Sequence, residues 1–195
     1  MSEAISVADA IARYGIDQLL RTDLDDVDSF VFFPAGHRVD GDLDLDGGPV
    51  LAAGALEVTG DVLGWEEGSA LVVLGDLRAN NVLVGGPEIV IKGHLFAKGS
   101  VLTDYNHGSL DVAGDLHASL VLAEHLTRIG GRVHGTTVDF GGLRVTSPDF
   151  KPTVSRERAT RQAREVFVPE VLNDQGYVTG IALKNRLREG LPVLR

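Results

Sequence analysis

Residues 71–101 read LVVLGDLRANNVLVGGPEIVIKGHLFAKGSV, and an apolar side chain returns at every sixth position of this stretch. Three such spacings make one coil of about 18 residues, so the pattern predicts a triangular coil whose sixth residues point to its axis. In such a coil Leu77 and Leu95 stack one turn apart. The predicted axial residues are Leu71, Leu77, Leu83, Ile89, Leu95 and Val101.

A short phrase, Gly followed by a polar residue and then Leu or Val, recurs at intervals that vary around this coil length. Glycine adopts the backbone angles that a tight corner needs, and an Asp after it can accept hydrogen bonds from corner amides. The segments before each Gly alternate apolar and other residues, as half-buried strands do. The copies are Gly41-Asp42-Leu43, Gly60-Asp61-Val62, Gly75-Asp76-Leu77, Gly93-His94-Leu95, Gly114-Asp115-Leu116 and Gly131-Arg132-Val133.

These patterns predict a mainly β protein, a single-stranded parallel β-helix of about six coils over residues 29–147. At about 4.8 Å per coil the rod is roughly 29 Å long. Residues 1–28 are predicted to form an N-terminal helical cap, because the sequence from Ser6 to Asp9 fits a helix N-terminus. Residues 148–195 are predicted to form a C-terminal helical cap with helices near 155–167 and 180–189. Caps of this kind would prevent coils from stacking end to end.

Charge is divided unevenly along a chain whose net charge is −10. Residues 1–150 carry 9 Lys and Arg against 23 Asp and Glu, a balance of −14, and residues 151–195 carry 9 against 5, a balance of +4. An acidic rod repels nucleic-acid phosphates and could attract a basic protein. The alternative interpretation is that the acidity only keeps a β protein with exposed strand edges soluble. With no cysteine, no apolar run of membrane-spanning length and no secretory leader pattern, we expect a cytoplasmic protein.

Two coils are lengthened by loops that carry aromatic and acidic residues, one from Gly64 to Gly68 and one from Thr103 to Gly108. Insertions in solenoids map to loops, often on a binding face, and aromatic side chains beside acids are typical anchors for a protein partner. The competing interpretation is that the aromatic rings fold back over their coils. The predicted protein-binding residues are Trp65, Glu66, Glu67, Asp104, Tyr105, Asn106 and His107.

Metal and catalytic motifs are weak. The stretch from Asp42 to Gly47 opens like a calcium loop, but its twelfth position is Ala53 and not a bidentate Glu, so an outer acidic stripe is the better interpretation.

Five histidines lie in successive coils, yet only His117 and His134 share an offset from the corner, and two ligands do not close a zinc site. No nucleophile or phosphate-loop motif is present. The sequence therefore predicts no enzyme, no metal and no cofactor.

The segment from Gly60 to Gly131 resembles the bactofilins, the polymer-forming bacterial cytoskeletal proteins. The resemblance is carried by the segments LVVLGDLRA at 71–79 and LDVAGDLHA at 110–118. It implies a right-handed β-helix of about six coils without catalytic activity. The six-residue spacing is also similar to that of the left-handed hexapeptide acyltransferases. As a compact acidic solenoid, the chain further resembles the immunity proteins that neutralise bacterial polymorphic toxins.

The function that these observations favour is a non-enzymatic, immunity-type or inhibitor protein that sequesters a basic protein partner such as a toxin. A second hypothesis is a bactofilin-like scaffold that assembles as a homo-oligomer end to end. A third is a β-helix enzyme, either of the acyltransferase type or of the carbonic anhydrase type; in the carbonic anhydrase version His117 would hold zinc.

Overall fold

The protein forms a parallel β-solenoid of about six turns with a few helices at the ends of the chain, which confirms the predicted fold. The structure is a computed structural model that describes residues 3–21, 23–24, 27–104 and 107–195. Within those residues, no helix is both long and apolar enough to span a membrane.

Eighteen strands and four α-helices follow one another along the described residues, with short 3-10 helices at Ile16–Gln18 and Pro169–Val171. The elements are β1 (Glu3–Ser6), α1 (Val7–Tyr14), β2 (Ser29–Phe33), β3 (His37–Val39), β4 (Leu43–Asp44), β5 (Val50–Ala52), β6 (Leu56–Val58), β7 (Val62–Gly64), β8 (Ala70–Val73), β9 (Leu77–Ala79), β10 (Val82–Val84), β11 (Glu88–Ile91), β12 (Leu95–Ala97), β13 (Ser100–Thr103), β14 (Ser109–Val112), β15 (Leu116–Ala123), β16 (Leu126–Ile129), β17 (Val133–Asp139), β18 (Leu143–Val145), α2 (Arg156–Arg161), α3 (Ala163–Val166) and α4 (Gly180–Arg188).

The strands stack into three faces. The first face contains β2, β5, β8, β11, β14, β16 and β18. The second face contains β3, β6, β9, β12 and the first residues of β15 and β17. The third face contains β4, β7, β10, β13 and the later residues of β15 and β17. β15 turns from the second face to the third near residues 118–119, and β17 does so near Gly135.

An apolar cluster fills the axis of the solenoid, and we call it the axial cluster. Leu77 pairs in register with Leu95, as predicted, and both are fully buried in it. The prediction for Leu83 is wrong, because its side chain points outward into a different cluster. Its neighbour Val82 faces the axis instead and pairs with Val101. The remaining predicted axial residues, Leu71, Ile89 and Val101, do line the axis.

The repeated Gly phrase marks two different corners of the coil. Gly60 lies against Gly41 at the corner between the second and third faces, whereas Gly75, Gly93, Gly114 and Gly131 stack at the corner between the first and second faces. A Cβ on Gly93 would come within 2.7 Å of the backbone of the coil beside it, so close packing of the coils requires Gly there. The interval between Gly60 and Gly75 is the shortest because the phrase changes there from one corner to the other.

The Asp residues of these corners accept hydrogen bonds from backbone amides, as predicted, and each amide belongs to the next coil. Asp42 Oδ1 accepts from the Asp61 amide at 2.9 Å, and Asp76 Oδ1 accepts from the His94 amide at 2.8 Å. Asp115 Oδ1 accepts in the same way from Arg132 at 2.8 Å. These side chains therefore tie neighbouring coils together where the strand ladders are interrupted.

The N-terminal segment, residues 3–21, adds β1 to the edge of the first face beside β2 and packs the helical residues that follow against the outer surface of that face. β1 pairs antiparallel with β2, and Ser6 caps α1 by accepting from the Asp9 amide at 3.1 Å, as predicted. The buried helix position is Ala10, whereas Ile11 is exposed. A second apolar cluster joins this segment to outward residues of the first four coils, which are Phe32, Leu51, Val72 and Val90.

The C-terminal segment, residues 148–195, packs along the outer surface of the third face. The predicted first helix is present as α2 and α3, with an interruption at Gln162, and the predicted second helix is α4. A third apolar cluster, the C-terminal cluster, joins Phe167, Leu183 and Leu187 to the third face. The outward residues that it covers are Leu83, Leu102, Leu122 and Val138.

The two ends of the rod differ from its sides. Phe33 in the first coil and Phe150 after β18 pack against the ends of the axial cluster. β3, β4 and β18 are the outermost strands of their faces among the described residues, and each pairs with a neighbour on one side only. An aromatic ring therefore contacts the axial cluster near each end of the rod, while these strands keep an edge directed along the rod axis.

Candidate functional site

Both predicted binding loops lie at the corner that joins the third face to the first, which we call the loop corner (residues 64–68 and 103–108). One loop connects β7 to β8 and the other connects β13 to β14. The tight turn at Gly85 to Pro87 lies between them, with Gly86 against the backbone of Glu66 and Gly108 against Gly85. The loops are therefore two coils apart, about 9.6 Å, on one edge of the rod.

Trp65 and Asp104 contact the C-terminal segment. The ammonium group of Lys184 lies 4.0 Å from the centre of the Trp65 ring, and the ring packs against the C-terminal cluster. Gly180, the first residue of α4, lies so close to the Asp104 carboxylate that a Cβ would not fit. Trp65 thus has the packing role that the sequence offered as the alternative to contact with a partner protein.

Glu66 and Glu67 point to solvent from the same loop. The loop backbone is held by Asp46, whose Oδ1 accepts hydrogen bonds from the amides of Trp65 at 2.7 Å and Glu66 at 2.9 Å. Asp42 and Asp44 likewise accept from backbone amides, so these acids act separately, and no three of them converge on one point in the described chain. Two carboxylates thus stand exposed on an ordered loop.

A recess of about 480 Å³ separates the two loops. Glu67 and His107 stand at its rim, and Gly86 and Gly108 line it. Arg21 from the N-terminal segment reaches into it, with Nε 2.9 Å from Glu88 Oε1. Of the seven predicted binding residues, the structure therefore joins Glu67 and His107 at one recess, while Tyr105 and Asn106 lie outside the described residues.

The basic C-terminal segment contacts the acidic coils through charged side chains. Arg188 Nη2 lies 3.0 Å from Asp42 Oδ2, and Arg188 Nε lies 3.8 Å from Asp61 Oδ2. Burial lowers the pKa of Lys184, and the nearby Arg188 acts in the same direction. The acids around the third face thus already bind cationic side chains of the same chain.

His125 is the buried histidine of the loop corner, one coil beyond Asp104, with 5% of its surface exposed. Its Nδ1 donates to the Gly85 carbonyl oxygen at 3.1 Å. Burial lowers its pKa from the ordinary value of 6.5. Below about pH 6.5 the unfolded chain binds a proton at His125 more readily than the folded protein does. The free energy of unfolding therefore keeps its full contribution from the neutral His125 above about pH 6.5 and loses it as the pH falls further.

We expect His125→Gln to weaken this pH dependence, because Gln retains a donor for Gly85 and does not titrate. The free energy of unfolding of the wild-type protein should decline below about pH 6.5 by up to about 1.4 kcal/mol per pH unit more than that of the variant. Urea denaturation at about pH 7.5 and at about pH 5.5 measures the difference. Equal declines in both proteins would contradict the assignment.

The second face carries the histidines that the sequence placed at a common offset. His117 pairs with His134 across neighbouring coils, and their rings stack 4.1 Å apart. Asp115, which the sequence pattern indicated only as a corner residue, places its carboxylate beside them at the adjoining corner. The Arg132 amide, followed by the nearby imidazoles, holds the pKa of Asp115 below its ordinary value. The separation of the two histidines by one coil length is the signal that places them together.

Comparison with known proteins assigns the chain to no family. No protein-family model matches the chain, and no curated protein or solved structure shows a significant match. The resemblances to bactofilins and to immunity proteins therefore stay predictions.

Proposed function

We propose that this protein is a non-enzymatic binding protein that holds a basic protein partner at the loop corner. The observation that carries the proposal is that both lengthened coils open on one edge of the rod, with Glu66 and Glu67 exposed beside a recess. Solenoids commonly bind through loops that project from one side of a regular stack.

Charge supports a basic partner. The coils and N-terminal segment carry the balance of −14, and the contacts of Lys184 with Trp65 and of Arg188 with Asp42 are examples of the chemistry that a basic partner would use. Exposed carboxylates attract such a partner during encounter and pair with Arg or Lys in the complex. An immunity-type or inhibitor role in the cytoplasm fits this binding mode.

The residues of the loop corner fall into two groups, those proposed to contact the partner and those that support the loops. Glu66, Glu67 and His107 face solvent and are proposed to contact the partner, together with Tyr105 and Asn106 on sequence grounds. Trp65 and Asp104 support the loops from behind, because they pack against α4 and the C-terminal cluster. Truncation of Trp65 would therefore affect stability as well as binding.

We expect the double charge reversal Glu66→Lys with Glu67→Lys to reduce partner binding at least about tenfold, because two attractive charges become repulsive. The measurement is quantitative capture of partner proteins from a cytoplasmic extract by the immobilised full-length chain, repeated at higher salt to weaken the charge contribution. A matched control, Glu165→Lys with Glu170→Lys, makes the same charge change at exposed positions of the C-terminal segment. A partner that binds both variants equally well would contradict the proposal.

A scaffold that assembles end to end is the second candidate, and the edge strands favour it. β3 and β4 at one end and β18 at the other each have one neighbouring strand among the described residues, so a second copy could pair with them. Light scattering over a range of concentrations separates the two functions. A fixed small mass supports the binding protein, and a mass that grows with concentration supports the scaffold.

A further inference from the structure

The outer surface of the second face carries one side chain per coil in a continuous row. The row lies outside the clusters that the N-terminal and C-terminal segments form on the other two faces. Parallel register places each member directly beside the next, about 4.8 Å apart. Its members are Arg38, Glu57, Arg78, Phe96, His117 and His134.

Ring stacking orders the C-terminal half of this row. Arg78 lies 4.0 Å from the centre of the Phe96 ring, and that ring stacks on His117 at 4.9 Å. His117 then stacks on His134 at 4.1 Å with the ring planes 5° from parallel. The two imidazoles thus stand in adjacent positions on β15 and β17, and β17 is the last strand of the second face among the described residues.

Asp115 adds a carboxylate to this pair. It precedes His117 by two positions and lies at the corner, where its Oδ1 accepts from the Arg132 amide at 2.8 Å. Its Oδ2 lies 4.0 Å from His134 Nε2, and one ligand atom from each of the three residues lies within 4.8 Å of the other two. The Asp115 amide donates to His94 Nδ1 at 2.9 Å, so the corner backbone is fixed as well.

We propose that Asp115, His117 and His134 form a binding site for a divalent transition metal ion, with Zn²⁺ as the best fit. Zinc accepts imidazole nitrogen and carboxylate oxygen at about 2.0–2.2 Å, and tetrahedral ligands at that distance stand roughly 3.4 Å apart. The observed separations, all within 4.8 Å, can shorten to this value if the half-buried Asp115 and His117 side chains and the exposed His134 side chain rotate, without movement of the coils. Three protein ligands leave a further position that water can occupy.

The residue chemistry selects the class of metal. Two imidazoles with one carboxylate suit zinc, copper or nickel, whereas calcium and magnesium require a set of oxygen ligands. The site also differs from the acidic stretch at Asp42 to Asp46, whose carboxylates accept from separate backbone amides. It lies on the second face, so it is independent of the loop corner.

Isothermal titration of the metal-free full-length chain with Zn²⁺ tests this site. We expect one zinc per chain, and we expect His117→Ala and His134→Ala each to weaken binding at least about tenfold. His107→Ala removes a histidine at the loop corner and should leave the affinity unchanged. Titration with Co²⁺ should give the visible absorption of a low-coordinate site, and that signal should disappear in His134→Ala.

The outcomes distinguish zinc bound at the proposed three-residue site from zinc bound nonspecifically by exposed histidines. Equal zinc affinity in the wild-type protein and in the His117→Ala/His134→Ala double variant would overturn the proposal, as would a ratio of half a zinc per chain, which indicates a site between two copies. Circular dichroism of each variant confirms that it is folded, and the more conservative His117→Gln variant repeats the measurement if His117→Ala unfolds.

Discussion

Leu77→Ala is expected to lower the free energy of unfolding by about 2–5 kcal/mol. Leu77 is fully buried on the axis and pairs in register with Leu56 on one side and Leu95 on the other. Truncation removes apolar contacts with both neighbouring coils and leaves a cavity that the rigid strand ladders cannot close. Because each coil in a solenoid is stabilised by its neighbours, the substitution weakens the packing of the Leu77 coil against the coils on both sides.

Urea denaturation followed by far-ultraviolet circular dichroism measures this loss. Ile181→Ala is a suitable control, since Ile181 is 73% exposed on α4 and its truncation should change the free energy of unfolding by less than about 0.5 kcal/mol. A loss below about 1 kcal/mol for Leu77→Ala would be incompatible with an axial position for this residue.

The contrast between Leu77 and Leu83 shows how much the sequence could reveal about the coil. On the second face, Leu77-Arg78-Ala79 alternates because one side meets the axis and the other meets solvent. On the third face, Val82-Leu83-Val84 is buried on both sides, because the C-terminal segment covers its outer surface. A strand buried on both sides loses its alternation. The six-residue spacing alone therefore assigned Leu83 to the axis, one position away from the correct residue.

The corners show a second limit on what the sequence could predict about the coil. Gly60 and Gly75 occur in the same phrase because both corners bring neighbouring backbones into contact and both need side-chain acceptors for amides. The local chemistry is identical, so the phrase predicted a coil without distinguishing its corners. Only the short interval between these two copies of the phrase carried that information.

The candidate sites depend on contacts that are distant in sequence. The two loops could be identified as insertions, but the direction of Trp65 is decided by Lys184, which lies near the other end of the chain. Asp115 was noted only as a corner residue, and its position beside His134 follows from the length of the coil at that place. The shared offset of His117 and His134 from the corner indicated that pair, but the direction of the Asp115 side chain toward His134 depends on the backbone of the corner, which the repeat pattern does not give.

Phe167→Ala is expected to have an effect of similar or larger size, about 3–5 kcal/mol, on the attachment of the C-terminal segment. Phe167 is fully buried in the C-terminal cluster, and its ring stacks on Phe140 at 5.8 Å. Its carbonyl oxygen accepts from Arg195 Nε at 2.9 Å. The side chain thus anchors the segment to the last coils, while Lys184 and Arg188 attach it through charge further along the rod.

Trp65 gives a direct reading of that attachment, because it is the only tryptophan and it lies under Lys184 of α4. In Phe167→Ala we expect the Trp65 emission to shift to longer wavelength at lower urea than the far-ultraviolet signal of the strands, since the segment detaches before the coils unfold. Tyr177→Ala, at a side chain that is 61% exposed in the same segment, should leave both transitions in place. Coincident transitions in Phe167→Ala would show that segment and coils unfold as one unit. In that case the third face depends on the segment, and the acidic coils cannot be considered a scaffold that folds without it.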